Sequence, residues 1–202
     1  AEVERVLAAL RTRIIVAGMV ITAVAAAIGA LLARQFTRRL EALTAAGRNG
    51  RRIEFYGVGN SGIVAHDAQH KFFRLGVHTA ACSDGHMQVM SASMLRPGDC
   101  AVVISNSGRT RDLMDACDIA KKQGATTIVI TASGSPLAAQ GQIHLAADHP
   151  EGYDRYSPMV SRLLHLMVID ILATCVALRI GGETLQPLLR EMKNNLRSKR
   201  YA

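Results

Sequence analysis

Ile53-Glu54-Phe55-Tyr56 runs into Gly57-Val58-Gly59-Asn60-Ser61-Gly62, and Ala101-Val102-Val103-Ile104 runs into Ser105-Asn106-Ser107-Gly108-Arg109-Thr110. Both stretches carry one pattern: an apolar β-run ends in a loop of glycine and hydroxyl residues, and a helical pattern begins directly after it. Such a loop places backbone N–H groups and hydroxyls at the positive end of a helix, a ready site for a phosphate or other anion. Glycine lets the backbone approach a ligand closely, and Ser or Thr adds neutral donors. Two such loops on neighbouring parallel strands predict a small-molecule pocket.

Working outward from these loops, β-runs alternate with helical stretches from Arg52 onward. Strands are predicted at 53–56, 77–81, 101–104, 127–131 and 143–146, and helices at 61–75, 85–93, 110–123 and 157–180. Gly76 and Gly124 stand at helix ends, and Pro97-Gly98-Asp99 is a turn signal. Alternation of this kind predicts right-handed crossovers and a parallel sheet. Ligands then bind beyond the carboxyl ends of the strands, at the switch point, where both loops fall. The helix 157–180 is strongly apolar but carries Arg162, His165 and Asp170, which argues against a membrane span there. A helix so apolar is covered on more than one side. The sheet covers one side, and a second copy on another predicts a homodimer through 157–180.

The first fifty residues read differently. Residues 14–33 form an uncharged run, roughly the length of about 20 residues that spans a bilayer as a helix. Arginines flank it: Arg11 and Arg13 before, Arg34, Arg38 and Arg39 after. The expectation is a transmembrane or long apolar helix, then a basic juxtamembrane linker to residue 50. The arginine bias places residues 34–202 in the cytoplasm, anchored to the inner membrane where the run inserts. Residues 32–46 also resemble the start of the signalling linker after the last membrane helix of bacterial sensor kinases. The chain begins with Ala1, as a fragment or a fusion would.

The net charge of +8 is concentrated in residues 34–52 and in a basic C-terminal helix or tail over 182–202. A solvated charge run explains the tail more simply than nucleic acid or lipid does. The four cysteines, Cys82, Cys100, Cys117 and Cys175, lack C-x-x-C spacing, which disfavours zinc and fits a reducing compartment.

Taken together, G-V-G-N-S-G, S-N-S-G-R-T and T-A-S-G-S-P-L resemble the sugar-isomerase (SIS) domain. The strings 52–74 (R-I-E-F-Y-G-V-G-N-S-G-I-V-A-H-D-A-Q-H-K-F-F-R) and 156–164 (Y-S-P-M-V-S-R-L-L) are similar to RpiR/HexR-type transcriptional regulators of sugar catabolism. The resemblance covers residues 51–181. It implies a flavodoxin-like three-layer α/β sandwich with a five-stranded parallel sheet that binds a phosphosugar. In the HexR-type branch it implies 2-keto-3-deoxy-6-phosphogluconate as effector, whose binding releases the repressor from DNA. By position, Ser61 and Ser105 would hold the phosphate, assisted by Ser107 and Thr110. Gly59 and Asn60 belong to the first loop, Asn106 and Gly108 shape the second, and Ser133 with Ser135 would line the far side. Regulators of this type carry an N-terminal helix-turn-helix domain, which these 202 residues do not show, so DNA binding is expected only through a domain outside them.

Ser61, Ser105, Ser107 and Thr110 could instead be simple helix N-caps, because capping and phosphate binding use the same N–H geometry. Two loops in register favour binding. His66 and His70, at i and i+4, lack an H-E-x-x-H signature and read as ordinary polar residues, so neither a metal nor a cofactor is expected. An aldose–ketose isomerase needs a base beside the sugar. His149 and Glu151 are the acid–base candidates, with His78 and His86 as outside choices, while Glu54 lies inside a strand and Glu183 beyond the core. These candidates are thin, and no catalytic residue is assigned. A ligand-sensing regulator therefore ranks ahead of a metal-independent isomerase and of a membrane-tethered sugar-phosphate sensor.

Overall fold

The alternation of strands and helices closes into one parallel sheet. The structure, a computed structural model, describes residues 40–149, 159–197 and 199. The apolar run 14–33 and Glu151 lie outside the described residues. Five strands, β1 (Arg52–Tyr56), β2 (His78–Cys82), β3 (Cys100–Ile104), β4 (Thr126–Thr131) and β5 (Ile143–Ala146), pair in the order β2-β1-β3-β4-β5. Every pairing is parallel. The order reverses between β1 and β3, which makes their carboxyl ends the switch point.

Helices cover both faces. The first layer holds α1 (described over residues 40–48), α2 (Asn60–Phe73) and α6 (Val160–Ile180). The opposite layer holds α3 (Gly85–Ser93), α4 (Arg111–Lys122) and α5 (Pro136–Gln140). The strand period of two divides each strand's residues between these layers. Phe55, Val102, Ile104 and Ile130 pack with Val64, Phe72, Ile169 and Leu172 on one face. Tyr56, Ala101, Val103 and Val129 pack with Leu95, Leu113 and Leu137 on the other. Every residue of β3 is buried, as a central strand requires. The rings of Phe55 and Phe72 lie 5.2 Å apart at 51°, joining β1 to α2. Burying side chains of this size contributes about 1.5–3 kcal/mol each.

The strands match the expected positions to within one residue at either end, and α3 and β5 coincide with theirs. The short helix α5 was not anticipated, since five residues after Ser135-Pro136 are too few for a helical period to show. In the tail, α7 (Gly182–Arg197) is an amphipathic helix whose Leu185 is buried. Among the described residues, α6 is the helix long and apolar enough to cross a membrane. Its buried face, Ile169, Leu172 and Val176, belongs to the core shared with α2, and Asp170 pairs with Lys71 of α2.

All four cysteines are free. Burial pushes the Cys100 thiol up to about 12 and the Cys117 thiol up to about 11, so both behave as small apolar core residues. The strand residue Glu54 is fully buried, and its carboxylate accepts from the Tyr56 hydroxyl (2.5 Å) and from Ser91 of α3. Arg52 pairs with its other oxygen at 2.5 Å. Burial, with the Glu54 charge beside it, holds the Tyr56 phenol far above the usual range. Glu54 therefore ties β1 to α3 and takes no part in the sheet edge where a ligand would bind.

Candidate functional site

The first loop leaves β1 at Tyr56 and enters α2 with Gly59 as N-cap, at φ 59°. As a glycine, this N-cap has no side chain with which to satisfy the helix start. Gly57 has no room for a side chain, because a Cβ there would lie 2.3 Å from the Ser61 carbonyl oxygen. The turn therefore folds back tightly enough to bring its own amides together. Asn60 and Ser61, half-buried, form the first turn of α2. An α-helix leaves its first four N–H groups without intrahelical partners, and a start lacking a side-chain cap favours an anion there.

The second loop leaves β3 at Ile104 and enters α4 with Thr110 as N-cap, again without a side-chain cap. Ser105 is buried, and its N–H donates to Ile130 O (3.0 Å), continuing the ladder one step past β3. Its Oγ accepts the Gly108 N–H at 3.1 Å, and Ser107 Oγ accepts the Arg109 N–H at 3.3 Å. Both hydroxyl oxygens are thus fixed by backbone, leaving each O–H hydrogen to point elsewhere. Gly108 sits at φ 60°, and a Cβ on it would stand 2.2 Å from Ser135 Oγ and 2.6 Å from Thr131 Oγ1. Only glycine satisfies both constraints.

A cavity of about 260 Å³ opens between the second loop and the loop after β4. Asn106, Ser107 and Arg109 line one side, and Ser133, Gly134, Ser135 and His149 the other. Of the residues expected from sequence, Asn106, Ser107, Ser133 and Ser135 thus share this cavity. Gly59, Asn60, Ser61, Ser105, Gly108 and Thr110 surround the switch point but do not line it. Ser135 caps α5 by accepting the Ala138 N–H at 3.2 Å. Both donors of Ser133 are engaged by Asp148: the N–H donates to Oδ1 (2.6 Å) and the hydroxyl to Oδ2 (2.7 Å). Those two bonds hold the Asp148 carboxyl below its ordinary range. Sequence reasoning missed Asp148, because its only signal is its position just past β5.

Of the acid–base candidates, His149 is at the cavity. His78 is exposed at the amino end of β2, the edge of the sheet away from the loops, and His86 is exposed on α3. His66 and His70 are both exposed on α2. His165 of α6 is buried, with no hydrogen-bond partner at Nε2. Burial, with His149 nearby, lowers it to about 4, so its imidazole is neutral at pH 7. Among the described residues no three His, Cys, Asp or Glu side chains gather as a metal site would need.

A doubly wound parallel sheet with helices on both faces and two glycine and serine loops at its switch point defines an α/β domain. The chain belongs to the SIS domain family, whose model matches residues 48–175. The HTH-type transcriptional regulator HexR of Pseudomonas aeruginosa is 47% identical over 151 residues, 75% of this chain and 53% of that protein. The Bifunctional protein glk of Burkholderia thailandensis is 50% identical over 131 residues, 65% of this chain and 20% of that protein. The chain thus spans about a half and a fifth of these relatives. The Vibrio vulnificus NanR protein, solved in complex with ManNAc-6P, superposes with a TM-score of 0.74 at 25% identity, covering 84% of this chain and 62% of that one. The fold anticipated from the sequence and the RpiR/HexR-type relationship are both established by these findings.

Proposed function

We propose that this chain is the phosphosugar-sensing part of an RpiR/HexR-type regulator of carbohydrate catabolism. The observation that carries the reading is the pair of helix starts without side-chain caps at the switch point, in a chain 47% identical to HexR over 151 residues. The phosphate is assigned to the first turns of α2 and α4, with donors from Ser61 and Ser105 and help from Ser107 and Thr110. Gly59, Asn60, Asn106 and Gly108 shape the backbone around it, and Ser133 stands on the far side. The complex of NanR with ManNAc-6P supports a phosphorylated sugar as the class of ligand. Within that class 2-keto-3-deoxy-6-phosphogluconate is the effector expected of the HexR-type branch.

A second copy is assigned to α6. Leu163, Met167, Ile171 and Leu178 are exposed and follow one stripe along that helix. Transcriptional output is assigned to a helix-turn-helix domain beyond these residues, acting in the cytoplasm, and the role is sensing rather than catalysis. Titration calorimetry of the full chain with 2-keto-3-deoxy-6-phosphogluconate and its dephosphorylated sugar acid tests the reading. Heat of binding is expected for the phosphorylated compound alone. An aldose–ketose exchange product from any sugar phosphate would instead make His149 a catalytic candidate and the domain an isomerase.

A further inference from the structure

The first anion loop is shaped from behind by an amide on a neighbouring helix. Gln88 of α3 is fully buried, and its Nε2 donates to Gly57 O at 3.1 Å and to Cys82 O at 2.9 Å. Cys82 O also accepts the Gly57 N–H at 3.3 Å. Tyr56 and Cys82 are the last residues paired between β1 and β2. The side chain therefore adds a rung to the sheet where backbone pairing ends and the loop begins. Its Oε1 has no hydrogen-bond partner, so burying the amide sacrifices an acceptor to place these two donors. The helix that carries it is held in register one turn on, where Ser91 donates to Glu54 of β1.

The consequence follows from peptide geometry. Gly57 C=O and Val58 N–H belong to one planar trans unit and point in opposite directions. Fixing the carbonyl towards Gln88 turns the Val58 N–H away from α3. The tight return of the loop, with Gly57 against the Ser61 carbonyl and Gly62 against Ser83, leaves little room for another arrangement. We infer that Gln88 is a positioning residue of the anion loop: by holding the Gly57–Val58 peptide it presents the Val58 N–H alongside the first-turn amides of α2. The inference rests on the proposed reading of residues 57–62 as a phosphate loop. It adds a residue of α3, distant in sequence from both serine motifs, to the machinery of binding.

Two substitutions in the full chain test it. Gln88→Met keeps the length of the side chain and removes the donors. Hydrogen exchange followed by mass spectrometry is expected to quicken over 57–62 and to stay unchanged over 105–110. Affinity for 2-keto-3-deoxy-6-phosphogluconate and for inorganic phosphate should fall about tenfold. Gln88→Glu donates only while protonated, so the protection of 57–62, measured relative to the intrinsic exchange rate at each pH, should become pH-dependent, high in acid and low at neutral pH. Gln88→Met should lack that dependence, which a merely space-filling role would not create. Unchanged exchange over 57–62 in Gln88→Met, or equal loosening of both loops, overturns the inference. If exchange responds as stated while the unsubstituted chain binds neither probe, the loop-shaping role stands and the phosphate reading fails.

Discussion

The helices that follow β1 and β3 begin differently from those that follow β2 and β4. At α3 and α5 a side chain satisfies the helix start: Asp84 accepts the Met87 N–H at 3.0 Å, and Ser135 accepts that of Ala138. At α2 the N-cap is Gly59, which has no side chain, and at α4 the Thr110 side chain makes no capping bond. A side-chain cap contributes about 1 kcal/mol over alanine and only a few tenths over glycine, so α4 gives up more of the stability that α3 and α5 retain than α2 does with its Gly59 N-cap. The two starts without a side-chain cap flank the switch point. Capping and anion binding compete for the same N–H groups, and on the proposed reading the choice between them varies with the strand each helix follows.

That contrast can be broken most forcefully at Gly108. Gly108→Val adds a branched side chain at φ 60° in a space already held by Ser135 and Thr131. It should cost about 3 kcal/mol or more, read as a lowered urea midpoint, and abolish binding of the sugar phosphate. Next come the serines of the two starts. Ser61→Ala and Ser105→Ala should each weaken sugar-phosphate binding by about 1–3 kcal/mol in calorimetric titration. Ser105→Ala also strands the Gly108 N–H and should lower the melting temperature. Ser61→Ala should leave it nearly unchanged. Equal affinity in both variants and the parent would remove these hydroxyls from the site.

Smaller effects sharpen the comparison from its other side. Asp84→Ala removes a true cap and should lower stability by about 1 kcal/mol in chemical denaturation, with sugar-phosphate affinity intact. Thr110→Asp supplies α4 with a capping carboxylate. It should raise stability by about 0.5 kcal/mol while weakening the binding of an anion, since a negative charge then occupies the helix start. A variant that gained stability and affinity together would show that cap and ligand do not compete.

Much of this molecule was legible from residue order alone. Strands 53–56 and 101–104 announce themselves as short apolar runs that stop at glycine or serine, and α4 by its helical period and Gly124. Those signals are local, since they depend on the side-chain period of each element and on which residues tolerate a turn. The serine motifs were legible for the same reason. Gln88 was not, because an amide within Gly85–Ser93 gives no sign that it will be buried against Gly57 and Cys82. Asp148 was not, because its hold on Ser133 joins segments 15 residues apart. Glu54 was read as a strand residue without its partners, which come from β1 and α3 together.

By itself, then, the order of residues determined the alternating α/β pattern, the two loops at strand ends and the apolar character of α6, all set by local periodicity and backbone preference. Tertiary structure alone decided which hydroxyls are fixed by backbone, which helix starts have side-chain caps, and that Asp148 engages Ser133 while Gln88 braces the first loop. Hydrogen bonds over a few ångströms between distant segments exist only once the sheet has set its neighbours, and no local pattern encodes them.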